Sequence, residues 1–245
     1  MRVAVISDIH ANLEAFKQVL FDIGRSNIDN VVCLGDNIGY GPEPDPVVTM
    51  IKDLNIPCVM GNHELAVTDQ DYLQCFNPLA RKSLLRTMEL LPGKTIKFIS
   101  GFKSHLIRHD CRFVHGFPPE SATTYLFEVS EDEMQHTFKQ IKERICFIGH
   151  THHLQIIDFN GEVITRTPLT QGIINLNRKN QYIINIGSVG QPRDGNNHAK
   201  YVIWDTSEDN IEVKFIPYDV FSVFTAEDNI NGGHSCFKNE NDQFY

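Results

Sequence analysis

Aspartate, asparagine and histidine recur at five places in this chain, each time just beyond a short apolar run. AVIS is followed by Asp8 and His10, VVCLG by Asp36, PCVMG by Asn62 and His63, CRFV by His115, and ICFIG by His150 and His152. Carboxylate, amide oxygen and imidazole are ligands of divalent cations, and this set exceeds what one tetrahedral ion takes. An aspartate shared by two ions roughly 3.5–4 Å apart accommodates the surplus, so the ligand count fits a dinuclear centre. Mixed nitrogen and oxygen ligation favours Mn, Fe, Zn, Co or Ni over Mg or Ca. Two such ions against two aspartates leave a charge of roughly +2, which attracts phosphate. The pair would also lower the pKa of a bridging water and stabilise the entering and leaving oxygens of an in-line displacement.

These residues span 145 positions, so the elements must bring them together. RVAVIS at 2–7 reads as a buried strand. Asn12 is a helix cap, Leu13, Phe16, Leu20 and Ile23 follow at helical spacing, Gly24 is the stop, and VVCL at 31–34 is a second strand. Strand, helix, strand within about 35 residues is the βαβ unit of a parallel sheet. A helix near 46–54, a strand over PCVM at 57–60, helices over 78–91 and 130–143, and buried strands at 111–114 and 145–148 continue it. In an open α/β sheet ligands bind beyond the carboxyl ends of the strands, where every candidate lies.

From 154 onward LQIIDF and EVITR flank Asn160-Gly161, a dipeptide suited to a type I′ hairpin. Strands near 172–176, 181–186, 200–205 and 211–216 extend a mostly antiparallel section. All of them need burial, which predicts an α/β sandwich, two packed mixed β-sheets with helices on the outer faces, in a single domain over 1–245. The polar segment 228–245 reads as a loose tail.

Composition sets the boundaries. With 22 basic and 31 acidic residues the formal charge is −9, leaving no general cationic surface for nucleic acid or anionic lipid. Six scattered cysteines without a C-x-x-C pair, and an N-terminus that reaches Asp8 after a few apolar residues, predict reduced thiols in the cytoplasm. No stretch approaches the ~18 apolar residues of a membrane span.

Asp8-Ile9-His10, Gly35-Asp36, Gly61-Asn62-His63-Glu64, His115-Gly116 and Gly149-His150-Thr151-His152, in this order, resemble the calcineurin-like metallophosphoesterase superfamily over roughly residues 1–205. Gly39-Tyr40-Gly41-Pro42 and Gly187-Ser188-Val189-Gly190-Gln191-Pro192-Arg193-Asp194 look like its small prokaryotic phosphodiesterase branch. The resemblance implies a four-layer fold, with one ion held by Asp8, His10, Asp36 and His152 and the other by Asp36, Asn62, His115 and His150. It implies hydrolysis of a phosphodiester or phosphomonoester by a bridging hydroxide. His63 is implied to contact the phosphate, together with Asn62, and to protonate the leaving oxygen, a task suited to imidazole. Arg193 is a further candidate for phosphate contact or for a structural ion pair. The protein phosphatases of the superfamily carry Asp-Arg-Gly where this chain has Ile38-Gly39-Tyr40, which weakens the protein-phosphatase reading without eliminating it; the expected partner is a small phosphate-ester or nucleotide substrate. Where similar chains have proline before Gly187, this one has Ile186.

Dinucleoside polyphosphate hydrolysis is the alternative among enzymes, and a non-catalytic scaffold is the rival from another class; the intact His63 speaks against the scaffold. Glu64 reads as a favourable charge in the first turn of a helix, the glycines at 35, 61, 149 and 187 as turn residues, His105, His109, His136, His198 and His234 as ordinary, and His153 as either an exposed loop residue or a substrate contact. Segments 65–105 and 116–144 carry no chemical motif and are expected to overhang the site as cap elements.

Overall fold

The computed structural model describes residues 1–221 and Val223; the expected tail over 228–245, with His234 and Cys236, lies outside the described residues. Strand β1 (Arg2–Ile6) leads into helix α1 (Leu13–Arg25), strand β2 (Asn30–Cys33) and helix α2 (Pro44–Asp53). Helices α3 (Asn62–Thr68), α4 (Pro78–Leu90) and α5 (Gly93–Ile99) follow, then strands β3 (His105–Arg108) and β4 (Cys111–Val114) and helix α6 (Glu131–Gln140). The remainder is β5 (Ile145–Ile148), β6 (Leu154–Phe159), β7 (Ile164–Pro168), β8 (Gly172–Asn175), β9 (Gln181–Ile186), β10 (Ala199–Asp205) and β11 (Asn210–Ile216).

The strands form two mixed sheets, ordered β2-β1-β10-β11-β8 and β3-β4-β5-β9-β6-β7. β1 pairs parallel to β2 and antiparallel to β10, so the first βαβ unit and the C-terminal strands share one sheet. Burial on both faces explains the continuous apolar runs. Val3 and Val5 of β1 meet Phe113, Phe147 and Ile184 between the sheets, while Ala4 and Ile6 face Phe16 and Val19 of α1 and Val47 and Ile51 of α2. Cys146, Ile148 and Ile183 turn outward onto Met134 and Phe138 of α6. Helix, sheet, sheet, helix is the expected layering. Leu84 of α4 and Ile99 of α5 close a fourth cluster over Ile38, Ala66 and Val67.

Local expectations fare unevenly. Asn12 caps α1 as read, accepting the N–H of Ala15 at 3.0 Å, but the helix passes Gly24 and ends where Ser26 N–H returns to Ile23 O. PCVM makes two isolated bridges, Cys33 to Cys58 and Val59 to Lys103, because the chain turns at once into α3. Asn160-Gly161 is not a type I′ turn: only Gly161 has positive φ, and Asn160 Oδ1 instead accepts the N–H groups of Glu162 and Val163. β9 lies parallel to β5, so the C-terminal half is less antiparallel than its hairpins suggest. α5 and β3 carry too few apolar positions to be read in advance.

Candidate metal centre

Parallel pairing sends the ends of β1 and β2 to one edge of the first sheet, and those of β4, β5 and β9 to one edge of the second. Backbone bonds lace the loops there. Asp8 N–H reaches Gly35 O, His10 N–H reaches Asp36 O, Gly149 N–H reaches His115 O and Gly190 N–H reaches Asp8 O. Asp8, His10, Asp36, His150 and His152 all adopt positive φ, between 48° and 70°. L-residues visit this region at a cost of roughly 1–3 kcal/mol each, and such strain concentrates at functional sites.

The seven candidate ligands and His63 are buried and adjacent, whereas the ninth candidate, Arg193, is exposed. The possible ligand atoms of Asp8, His10 and His152 lie within 4.8 Å of one another, as do those of His10, Asp36 and His63 and those of Asp36, His115 and His150. Asp36 Oδ2 stands between the groups, 3.2 Å from His115 Nε2, 3.8 Å from His10 Nε2 and 4.0 Å from His63 Nε2. Asn62 Oδ1 joins at 3.1 Å from His115 Nε2.

Four imidazoles are each tied to a carbonyl on the side away from the cluster. His10 Nδ1 meets Ile38 O at 3.1 Å, His115 Nδ1 meets Leu34 O at 2.8 Å, His152 Nδ1 meets Gln191 O at 2.6 Å, and His150 Nε2 meets Thr123 O at 3.1 Å. A carbonyl only accepts, so those nitrogens carry the proton, and His10, His150 and His152, when neutral, turn a lone pair toward the cluster. His10 Nε2 and His152 Nε2 then face each other at 3.1 Å, beside an Asp8 Oδ1 that has no hydrogen-bond donor. Buried lone pairs converging without a proton between them are satisfied by a cation, so the residues fit the metal that the ligand types imply.

The electrostatics agree. Burial works to raise Asp8 and Asp36, but His152 beside Asp8 and His115 beside Asp36 outweigh it and hold both below the usual carboxylate range. Burial lowers His10 and His152, and takes His63 to about 4 and His150 to about 3, favouring neutral rings. Burial also disfavours charge on His115, yet Asp36 and Asp8 overcome it and push this ring up to about 10. The carboxylates demand positive charge at the centre.

Several supporting residues escaped the sequence reading. Glu64 does stand in the first turn of α3, but fully buried, and its carboxylate accepts N–H bonds from Asp36 (2.8 Å), Asn37 (2.7 Å) and Gly61 (3.2 Å) and from the Asn37 amide (3.1 Å). Gly61 and Gly149 serve close approach rather than turning. A Cβ on Gly61 would stand 2.2 Å from Asp36 Oδ1, and one on Gly149 2.1 Å from Ser7 Oγ. Asn185 donates to Gly149 O and Thr151 Oγ1 while accepting Gly187 N–H, which ties the two loops of the second sheet. The glycine spacing hinted at tight packing; nothing local marked Glu64 or Asn185.

Arg193 makes no ion pair among the described residues; its neighbour Asp194 does so, with Lys200 at 2.6 Å. The exposed guanidinium donates to Gln191 Oε1 at 3.0 Å; its charge adds to the burial that lowers His63 and His152 and opposes the burial that raises Tyr40. The unassigned segments reach the site through aromatic rings: Phe76 packs edge-on against His63 at 5.2 Å, and Tyr125 stacks on His150 at 3.8 Å. His153 is exposed.

Paired mixed sheets with histidines and aspartates at their strand ends define the architecture of a metallophosphoesterase. The calcineurin-like phosphoesterase superfamily domain matches residues 1–209, and this chain belongs to that family. It is therefore a hydrolase acting on phosphoester bonds. The uncharacterized protein MJ0912 of Methanocaldococcus jannaschii is 35% identical over 223 residues, covering 89% of this chain and 88% of that protein. A metallophosphoesterase from Sphaerobacter thermophilus superposes with a TM-score of 0.79 at 29% identity, covering 94% of each chain. The hypothetical protein PH1004 of Pyrococcus horikoshii shares the fold, with a TM-score of 0.75 at 15% identity over 95% of this chain and 94% of that one. No helix among the described residues is long and apolar enough to cross a membrane.

Proposed function

We propose that this protein hydrolyses small phosphodiesters or phosphomonoesters at a dinuclear centre of transition-metal ions. Asp8, His10, Asp36 and His152 would hold one ion and Asp36, Asn62, His115 and His150 the other, with Asp36 shared. The observation that carries this reading is the position of Asp36 Oδ2 between two ligand groups whose histidines are all anchored by carbonyls. Bound there, the ions would supply Lewis-acid charge and a hydroxide nucleophile at neutral pH.

The chain's own residues do the rest. His63 is oriented by α3 and by its backbone N–H on Asp36 Oδ1 at 2.9 Å. Its ring lies between His10, Tyr40 and Phe76. It stands beside the ligand set without being required by it, which suits contact with a phosphate oxygen and protonation of the leaving group. Arg193, exposed at the rim, would donate to the same phosphate, as a guanidinium does well. Tyr40 and Phe76 exclude water around His63.

A single-domain organisation over 1–245 is part of this proposal, supported by the pairing of β10 with β1. So is a cytoplasmic location, supported by free Cys33, Cys58, Cys75, Cys111 and Cys146. The deciding experiment follows bis(p-nitrophenyl) phosphate with chelator-stripped protein before and after Mn²⁺ is added. Turnover restored by metal is expected; protein that binds Mn²⁺ yet hydrolyses no diester, monoester or dinucleoside polyphosphate would overturn the reading.

A further inference from the structure

Three rings form a nearly parallel column at the edge of the ligand cluster. Tyr125 covers His150 with centroids 3.8 Å apart and planes 17° from parallel, and Phe127 stacks on Tyr125 at 4.9 Å and 18°. The inner end of the column is a candidate metal ligand. The outer end, Phe127, is 65% exposed.

An exposed apolar side chain is ordinary by itself. Here the surrounding chain holds the ring in place. Leu126 is buried with Phe117, Met134 and Phe138, and Tyr125 N–H donates to Glu128 Oε2 at 3.1 Å. In the preceding loop Ser121 Oγ accepts the N–H groups of Thr123 and Thr124, and Phe117 N–H reaches Thr124 O. The inner wall is polar: Thr123 O meets His150 Nε2 at 3.1 Å, and the same loop carries the hydroxyls of Ser121, Thr123 and Thr124. A ligand extending outward from the cluster past this loop thus meets hydroxyls first and a flat apolar ring beyond them.

Resting on the phosphoesterase reading, we infer that Phe127, backed by Tyr125, is a stacking platform for a nucleobase, so that the substrate is a nucleotide ester with its phosphate at the candidate metal ligands. A nucleobase suits this place because it is planar, uncharged toward an acidic protein, and joined to phosphate through a sugar that can span the polar inner wall. Base–aromatic stacking changes affinity by roughly 5- to 150-fold on loss of the ring.

The test compares the non-hydrolysable phosphonate analogues of adenosine 5′-monophosphate and ribose 5-phosphate by calorimetric titration of the metal-loaded protein; the two ligands differ at the anomeric carbon, base against hydroxyl. Wild type is expected to prefer the nucleotide by roughly 5- to 150-fold. Phe127→Ala and Phe127→Leu are expected to bring the two ligands to within about twofold, while Phe127→Trp keeps the preference, since apolar bulk without a flat face cannot stack. Equal affinities in wild type, a preference that survives in the Ala or Leu variant, or binding of neither ligand would each overturn the inference. Hydrolysis of bis(p-nitrophenyl) phosphate by the same preparations reports separately on the phosphoesterase reading, so the two can fail independently.

Discussion

The Glu64 carboxylate receives the backbone N–H of Asp36 at 2.8 Å, joining the start of α3 to the loop that follows β2. Asp36 is thereby held from behind while its side chain enters the ligand cluster. Burial and Asp36 raise the Glu64 carboxyl to about 7, and the N–H bonds from Asn37 and Asp36 oppose the rise. Only donors reach its two oxygens, so the ionised carboxylate is the form that satisfies them. Glu64→Gln would set an amide N–H₂ against those donors. The expected loss is about 2–3 kcal/mol, the worth of hydrogen bonds to a charged acceptor, read as a lower denaturant midpoint for the metal-free protein. A midpoint equal to wild type would contradict the bracing role.

Asp36→Asn should cost metal. The substitution keeps the size but removes the negative charge shared between the two ligand groups, so bound metal should fall from about two equivalents per chain toward one or none. Elemental analysis after dialysis measures this, and full occupancy would remove the bridging assignment.

His63→Ala leaves every proposed ligand in place. Metal content should stay at the wild-type level while turnover drops by about 10²–10⁴ on an ester with a poor leaving group. The loss should shrink for p-nitrophenyl esters, whose leaving oxygen needs little protonation. Equal losses for both leaving groups would limit His63 to phosphate contact.

Acidification should destabilise the metal-free protein. Burial holds His63 at about 4 and His150 at about 3, against 6.5 for an unperturbed ring, and lowers His10 and His152 too. Below pH 6.5 the unfolded chain takes up protons that the folded chain refuses, so these four lose stability as pH falls from about 6.5 toward 4. His115, raised to about 10, contributes stability that is fully present below 6.5 and lost as pH rises toward 10. Glu64, raised to about 7, contributes stability present at pH 4.5 and lost through 7, but it is one group against four. Urea midpoints for chelator-treated protein should therefore decline below pH ~6.5; a flat profile down to ~4.5 would mean the rings are already protonated in the fold.

Asp194 holds the ammonium of Lys200, whose side chain is fully buried and also donates to Asn196 O. Asp194→Ala strands that charge and should cost roughly 3–5 kcal/mol, visible as a lower Tm. Because the same loop carries Arg193, KM should rise in both Asp194→Ala and Arg193→Ala, with kcat less affected. An unchanged KM in Arg193→Ala would take that side chain out of substrate contact.

Much of this protein was legible in one dimension. Runs such as RVAVIS and ICFI declare buried strands because both faces of a central strand need apolar side chains, and Asp8, Asp36, His115 and His150 follow such runs directly. Residue type and position after a strand thus pointed to the cluster. Tertiary structure alone decided what lies around it. Glu64 looks like any acidic residue in a first helical turn until the loop after β2 folds onto it. Gly61 and Gly149 acquire their meaning from side chains 25 and 142 positions away, Asp36 Oδ1 and Ser7 Oγ. The Phe127–Tyr125–His150 column joins a turn without periodicity to a strand end. Local pattern records what a residue needs from its own element, whereas close approach, charge burial and ring stacking belong to pairs that only the packed sheets bring together.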